Sequence, residues 1–290
     1  MSMKKFSRRF LLIAVVAVAL VYPGVAGADV ANLSIRQIQE TADPAGNSPY
    51  NSSSVDCAGG IVIGKLASGQ PRIQLYDPAD PNGWGGIQVK DWSVGAALFN
   101  GVSPGDWVSF ADIPVEDYRG TTLLQYDPLL TPAVSFTIES SGNSLPAPLL
   151  ISASQIAAPT ETSPDFWMVA NHSAEKYESM LLKIEDITVT QMDLGKASDN
   201  YNLQTTGADV WASDYLNVNR VGYYDPKVSI GQHFASVSGM LEQYTRTSST
   251  YGWDYYQLLT RSTADLVIPE PGSLLLLSCG LAWLFSRKSR

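Results

Sequence analysis

The sequence predicts an all-β body built as two tandem five-stranded barrels, and three observations predict it. Val, Ile, Thr, Tyr and Trp are frequent and fall in short runs. Gly, Pro, Asn and Asp recur between those runs, where turns are needed. The runs also follow the same order twice. Strands are expected at 59–66, 71–76, 85–90, 105–113 and 121–126, then again at 179–191, 200–205, 208–212, 232–244 and 253–260.

Each element has a local reason. The first set opens on Gly60-Ile61-Val62-Ile63-Gly64 and the second on the apolar run from Leu181 to Val189. A pair of short strands follows in each: Ile73-Gln74-Leu75-Tyr76 with Gly86-Ile87-Gln88-Val89, and Tyr201-Asn202-Leu203-Gln204 with Asp209-Val210-Trp211. A glycine turn at Gly105 or Gly231 leads into a long fourth strand. Tyr118 followed by Leu123-Leu124, and Tyr255 followed by Leu258-Leu259, mark the fifth. Two stretches read as helical: 33–40 behind an Asn32 cap, and 150–157 with Ser152 or Ser154 as its start.

The result is a repeat of about 110 residues. Five strands that curl on themselves remove their own edges. This order resembles the OB-fold-like modules of bacterial exported proteins, over most of 30–135 and 150–268. The expected division is 29–138 for the first module, 139–149 for a Pro- and Gly-containing linker, and 150–268 for the second. One continuous β-sandwich is the competing fold.

The two ends carry a different message. Residues 1–28 read as a signal peptide: Lys4, Lys5, Arg8 and Arg9, then an apolar run over 10–22, then Ala26-Gly27-Ala28 for signal peptidase. That run has 13 residues, against the ~20 of a spanning helix. At the other end, Pro269-Glu270-Pro271 precedes a short apolar stretch that stops at Arg287-Lys288-Ser289-Arg290. The two prolines separate this stretch from the body, and basic residues beyond it favour the cytoplasmic side of a bilayer.

Residues 269–290 resemble the PEP-CTERM sorting signal of Gram-negative bacteria, with triplet, helix and basic end in order. The resemblance implies an exosortase-type processing enzyme that reads Pro269, Glu270 and Pro271, with Arg287, Lys288 and Arg290 as the cytoplasmic end. It implies a transmembrane helix, transient residence in the inner membrane, and then the cell surface or extracellular matrix.

The whole chain has 19 basic and 28 acidic residues. Four of the basic residues lie in the leader, and three lie in the tail with Glu270. That leaves 12 basic and 27 acidic residues in the body, a net charge of −15. Such a body repels nucleic acid overall, because no basic stripe is present. Cys57 is the only body cysteine and reads as a buried small hydrophobe.

No recognised catalytic motif appears. The histidines are His172 and His233, and neither sits in an HExxH or Gly-x-Ser-x-Gly pattern. The carboxylates around 106–117 and 193–214 read as turn and surface residues, with glycoside hydrolysis by a carboxylate pair as the enzymatic alternative. Asp77, Asp80 and Asn82 could hold Ca²⁺, although their spacing also suits a plain Asp-Pro and Asn-Gly turn. Trp84 and Trp253, each beside glycine, are the aromatic residues expected to be exposed. With Tyr255 they are the candidates for stacking on a ligand. The expected function is therefore a non-catalytic binding module for an extracellular ligand such as polysaccharide. An accessory nucleic-acid-binding module is the alternative.

Overall fold

The computed structural model describes residues 32–67, 70–194, 200–213 and 227–269. The leader with Ala26 and Ala28, and the tail with Glu270, Pro271, Arg287, Lys288 and Arg290, lie outside the described residues. Within those residues no helix is long and apolar enough to cross a membrane.

The first sheet contains β1 (Ser54–Leu66), β2 (Arg72–Tyr76), β3 (Gly86–Asp91), β4 (Trp107–Tyr118), β5 (Thr121–Tyr126) and β6 (Ser135–Ser140). Its order is β1-β2-β3-β5-β4, and a further β1–β4 pairing closes five strands into a barrel, with β6 added on β4. The second sheet contains β7 (Leu149–Leu150), β8 (Thr160–Ser163), β9 (Phe166–Met168), β10 (Leu181–Leu194), β11 (Asn200–Thr205), β12 (Ala208–Ser213), β13 (His233–Thr247), β14 (Gly252–Leu259) and β15 (Leu266–Val267). Here the order β13-β10-β11-β12-β14 closes through β13–β14, giving the same circuit. The third and fifth barrel strands run parallel in both, β3 with β5 and β12 with β14.

Strand alternation fills each barrel. Ile73, Leu75, Ile87, Val89 and Leu124 point into the first, and Tyr201, Leu203, Val210, Tyr256 and Leu258 point into the second. Cys57 is fully buried in the first core, as expected, and that burial raises its thiol to about 12. The first helix, α1, is shorter than expected. It spans Ile35–Gln39, and its cap is Ser34 in a capping box with Gln37 rather than Asn32. The 150–157 stretch holds only a 3-10 turn, Ala153–Gln155, capped by Ser152. A helix not foreseen, α2 (Ala97–Gly101), lies between β3 and β4.

The barrels are fastened to each other. Ile61 and Ile63 of β1 pack with Leu181 and Met240, and Leu66 packs with Leu259. Backbone groups bridge as well: Trp84 N donates to the Lys176 carbonyl at 2.5 Å, and Thr245 N to the Arg119 carbonyl at 2.6 Å. At Gly86 a Cβ would lie 2.5 Å from the Ser179 carbonyl carbon, so only glycine permits this approach. The 139–149 stretch is held too. Ser140 pairs with Trp107, Asn143 N donates to the Gly105 carbonyl, and Leu149 pairs with Leu182.

Candidate functional site

Because the barrels dock, strand faces that alternation directs outward are buried on both sides. All six residues of β3 are buried, and so are all eight of β14. In β3, Ile87 and Val89 serve the core while Gln88 and Lys90 face the other barrel. In β14, Tyr256 and Leu258 serve the core while Tyr255 and Gln257 face back. Between them lies a cleft of 290 Å³, lined by Arg72, Gln88, Lys90, Tyr118, Arg119 and Thr121 from the first barrel and by Glu242, Tyr244, Tyr255 and Gln257 from the second. That volume sits near the lower end of small-ligand pockets, roughly 300–1,000 Å³.

One polar chain crosses the floor. Arg72 Nη1 donates to Gln88 Oε1 at 2.9 Å and to Glu242 Oε1 at 3.2 Å, while Gln257 Nε2 donates to Glu242 Oε2 at 2.9 Å. Other polar atoms are buried without a partner among the described residues: Arg72 Nε, Gln88 Nε2, Gln243 Oε1 and Gln257 Oε1. Each such group costs ~1–3 kcal/mol unless water or a ligand completes it.

The walls are aromatic and cationic. The Lys90 ammonium lies 3.4 Å from the Tyr118 ring centroid. The Arg119 guanidinium lies 5.2 Å from Tyr118 and 5.7 Å from Tyr244. Tyr244 continues to Tyr255 at 5.6 Å, and Tyr255 to Trp211 at 4.7 Å. Burial, followed by the charge of Arg72, lowers Lys90 to about 8.

The turn that presents Tyr118 and Arg119 is a tight one. Arg119 has φ 57° and Gly120 φ 88°. A Cβ on Gly120 would meet Thr245 Oγ1 at 2.5 Å. Only glycine lets this turn lie against β13.

A second polar cluster lies at the barrel seam, outside the cleft lining. His172 meets Asp254 Oδ2 at 3.0 Å through Nε2 and the Pro44 carbonyl at 2.7 Å through Nδ1. The Asp254 bond above all raises His172 to about 9, so both ring nitrogens donate. Burial alone would raise Asp254, but hydrogen bonds from His172, Gln243 and Thr245 outweigh it and leave the group below its usual value. Glu175 accepts from Tyr256 Oη at 2.6 Å and Glu178 from Thr122 N at 2.9 Å. Burial raises both carboxyls, and their mutual repulsion adds to the rise at Glu178. His172, which sequence reasoning left as a loop residue, thus ties the 43–48 segment to β14.

The sequence candidates separate. Tyr255 lines the cleft. Trp253 does not, and its expected exposure is corrected: it is 8% exposed, within β14, with its ring 4.3 Å from that of Tyr251. Gly252 beside it is a strand residue that makes room for Phe166, not a turn. Trp84 is half-buried and shares a shallow recess with Asp80 and Asn82. Asp77 Oδ1 accepts from Ala79 N, and Asp80 Oδ1 from Arg36 Nη1. One oxygen of each carboxylate thus accepts from a protein donor. Among the described residues no group of three His, Cys, Asp or Glu side chains is placed to hold a metal. Sequence reasoning missed Arg72, Gln88, Lys90, Tyr118, Arg119, Glu242 and Gln257.

No family model matches the chain, and no curated protein matches it. Solved structures resemble it weakly. A murine DNA-binding protein bound with double-stranded DNA is 9% identical at a TM-score of 0.31, covering 69% of this chain and 96% of that one. Fission yeast Pot1 with single-stranded DNA is 13% identical at 0.28, covering 81% and 85%. A replication protein A heterotrimer bound to single-stranded DNA is 8% identical at 0.24, covering 87% and 72%. Likeness at this level says nothing about what the chain binds.

Proposed function

We propose that the chain is an exported, non-catalytic binding module that seats a saccharide in the cleft between its barrels. The observation that carries this reading is the cleft's composition. Tyrosine rings offer faces for the C–H side of a sugar ring, and the amides of Gln88, Gln243 and Gln257 offer buried, unpartnered atoms of both hydrogen-bond senses. Sugar hydroxyls both donate and accept, so they can complete such groups. The single carboxylate among the described lining residues, Glu242, is held by Arg72 and Gln257. A hydrolytic pair would need a second one beside it.

Delivery follows from the ends of the chain: a signal peptide cut after Ala28, and a tail of the PEP-CTERM kind sorted by an exosortase-type enzyme to the cell surface. Mass spectrometry of the exported protein checks this part, with Asp29 expected as the first residue.

The binding part is tested by screening full-length protein against saccharides and DNA, with and without calcium. Saccharide binding that Tyr118→Ala and Gln257→Leu each weaken supports the reading. Binding of DNA alone, weakening steeply with salt, replaces it with the nucleic-acid reading.

A further inference from the structure

The three cations of the cleft have no role in the saccharide reading as stated, and they are unusually placed. Lys90 is 5% exposed, and its ammonium lies over the face of Tyr118, with Glu242 and Glu116 near enough to act on it through charge and no hydrogen bond to either among the described residues. Arg119 makes one long bond, 3.4 Å to Tyr244 Oη. Arg72 is the only one of the three paired with a lining carboxylate, Glu242. Glu116 lies near Lys90 but outside the lining, and Gln125 Nε2 holds it. The lining therefore has a surplus of positive charge inside a body whose net charge is −15.

An ammonium in a narrow cleft gives up part of its hydration, and an aromatic face returns only some of it. A long polyanion is repelled by the rest of this surface, but one anionic group on a small ligand is not. Resting on the saccharide reading, we propose that the bound saccharide carries an anionic substituent, which Lys90 and Arg119 hold together. A uronic-acid carboxylate and a sulfate ester are two sources of the same chemistry. The acid of such a sugar reaches the ammonium that lies over the Tyr118 ring.

The test is titration calorimetry on the full-length protein with four probes. These are a glucose oligomer, a glucuronic acid oligomer of the same length and linkage, a sulfated glucose oligomer, and inorganic phosphate. The acidic oligomers are expected to bind roughly tenfold more tightly than the neutral one, the scale of one charge-assisted hydrogen bond. Lys90→Met is expected to abolish that preference. Arg119→Gln, in an exposed turn where the barrel does not depend on the side chain, is expected to reduce it several-fold. Whichever acidic oligomer wins identifies the source of the anion.

Equal affinity for neutral and acidic oligomers, or a Lys90→Met loss shared equally by both, overturns the anion assignment and leaves the saccharide reading standing. Silence toward every probe overturns both. Phosphate binding that needs Lys90, without binding of any oligomer, keeps the anion site and overturns the saccharide reading.

Discussion

Arg72 and Glu242 are 170 residues apart in the chain and 3.2 Å apart in the fold, one from each barrel. Their side chains are only 11% and 14% exposed. Removing one partner leaves the other charge buried and uncompensated. Glu242→Ala is therefore expected to cost ~3 kcal/mol, measured by urea denaturation. The double change Arg72→Met with Glu242→Leu is expected to recover most of that loss, because a buried pair is worth little more than packed apolar groups.

Gly120→Ala is expected to destabilise the protein by about 1–3 kcal/mol, since it combines a left-handed backbone with a clash against Thr245. Gly207 has a similar φ, 83°, and nothing within 4 Å of its would-be Cβ. Gly207→Ala is expected to cost only the backbone share, about 1 kcal/mol. Thermal melts of the two variants separate strain from contact.

The fold was largely legible because the barrel strands announce themselves by alternation. Arg72–Tyr76, Asn200–Thr205 and Ala208–Ser213 fall within a residue of their expected ranges. The misses have physical causes. β4 runs on to Tyr118, past the expected end at 113, because Val115–Tyr118 pair with Thr121–Leu124 of β5 in a tight hairpin, so Glu116 and Asp117 are strand residues rather than turn residues. β8 and β9 come from a stretch with little apolar periodicity, organised by pairing to β14. The cleft was hidden for a related reason. Gln88, Lys90, Glu242 and Gln257 occupy alternate positions on their strands, the pattern of a solvated face, and only barrel docking turns that face inward.

His172 supplies a pH dependence whose sign follows from its raised value. The folded protein holds the proton more tightly than the unfolded chain, where the ordinary value is 6.5. Its contribution to stability is complete below 6.5 and fades as pH rises through about 9. His172→Asn is expected to lower the melting temperature at about pH 6 and to change it little at about pH 10. Equal losses at both would contradict the ion pair with Asp254.

Glu178 acts in the same sense at lower pH. Its carboxyl is raised well above the ordinary 4.5 by burial and then by Glu175. Stability from keeping it protonated is present below 4.5 and is lost as pH rises through the raised folded value. Glu178→Gln keeps an oxygen for Thr122 N and cannot ionise. It is expected to be more stable than the parent above neutrality and equal to it near pH 4, read from denaturation midpoints across pH.

The seat of the ligand is tested most directly by a crystal structure of the protein with the tightest-binding saccharide. The expected result is a sugar ring against Tyr118, between the barrels, with hydrogen bonds to Gln88 and Gln257. A sugar found elsewhere, against Trp84 and the 77–83 turn for example, with the interbarrel cleft holding only solvent, would contradict it.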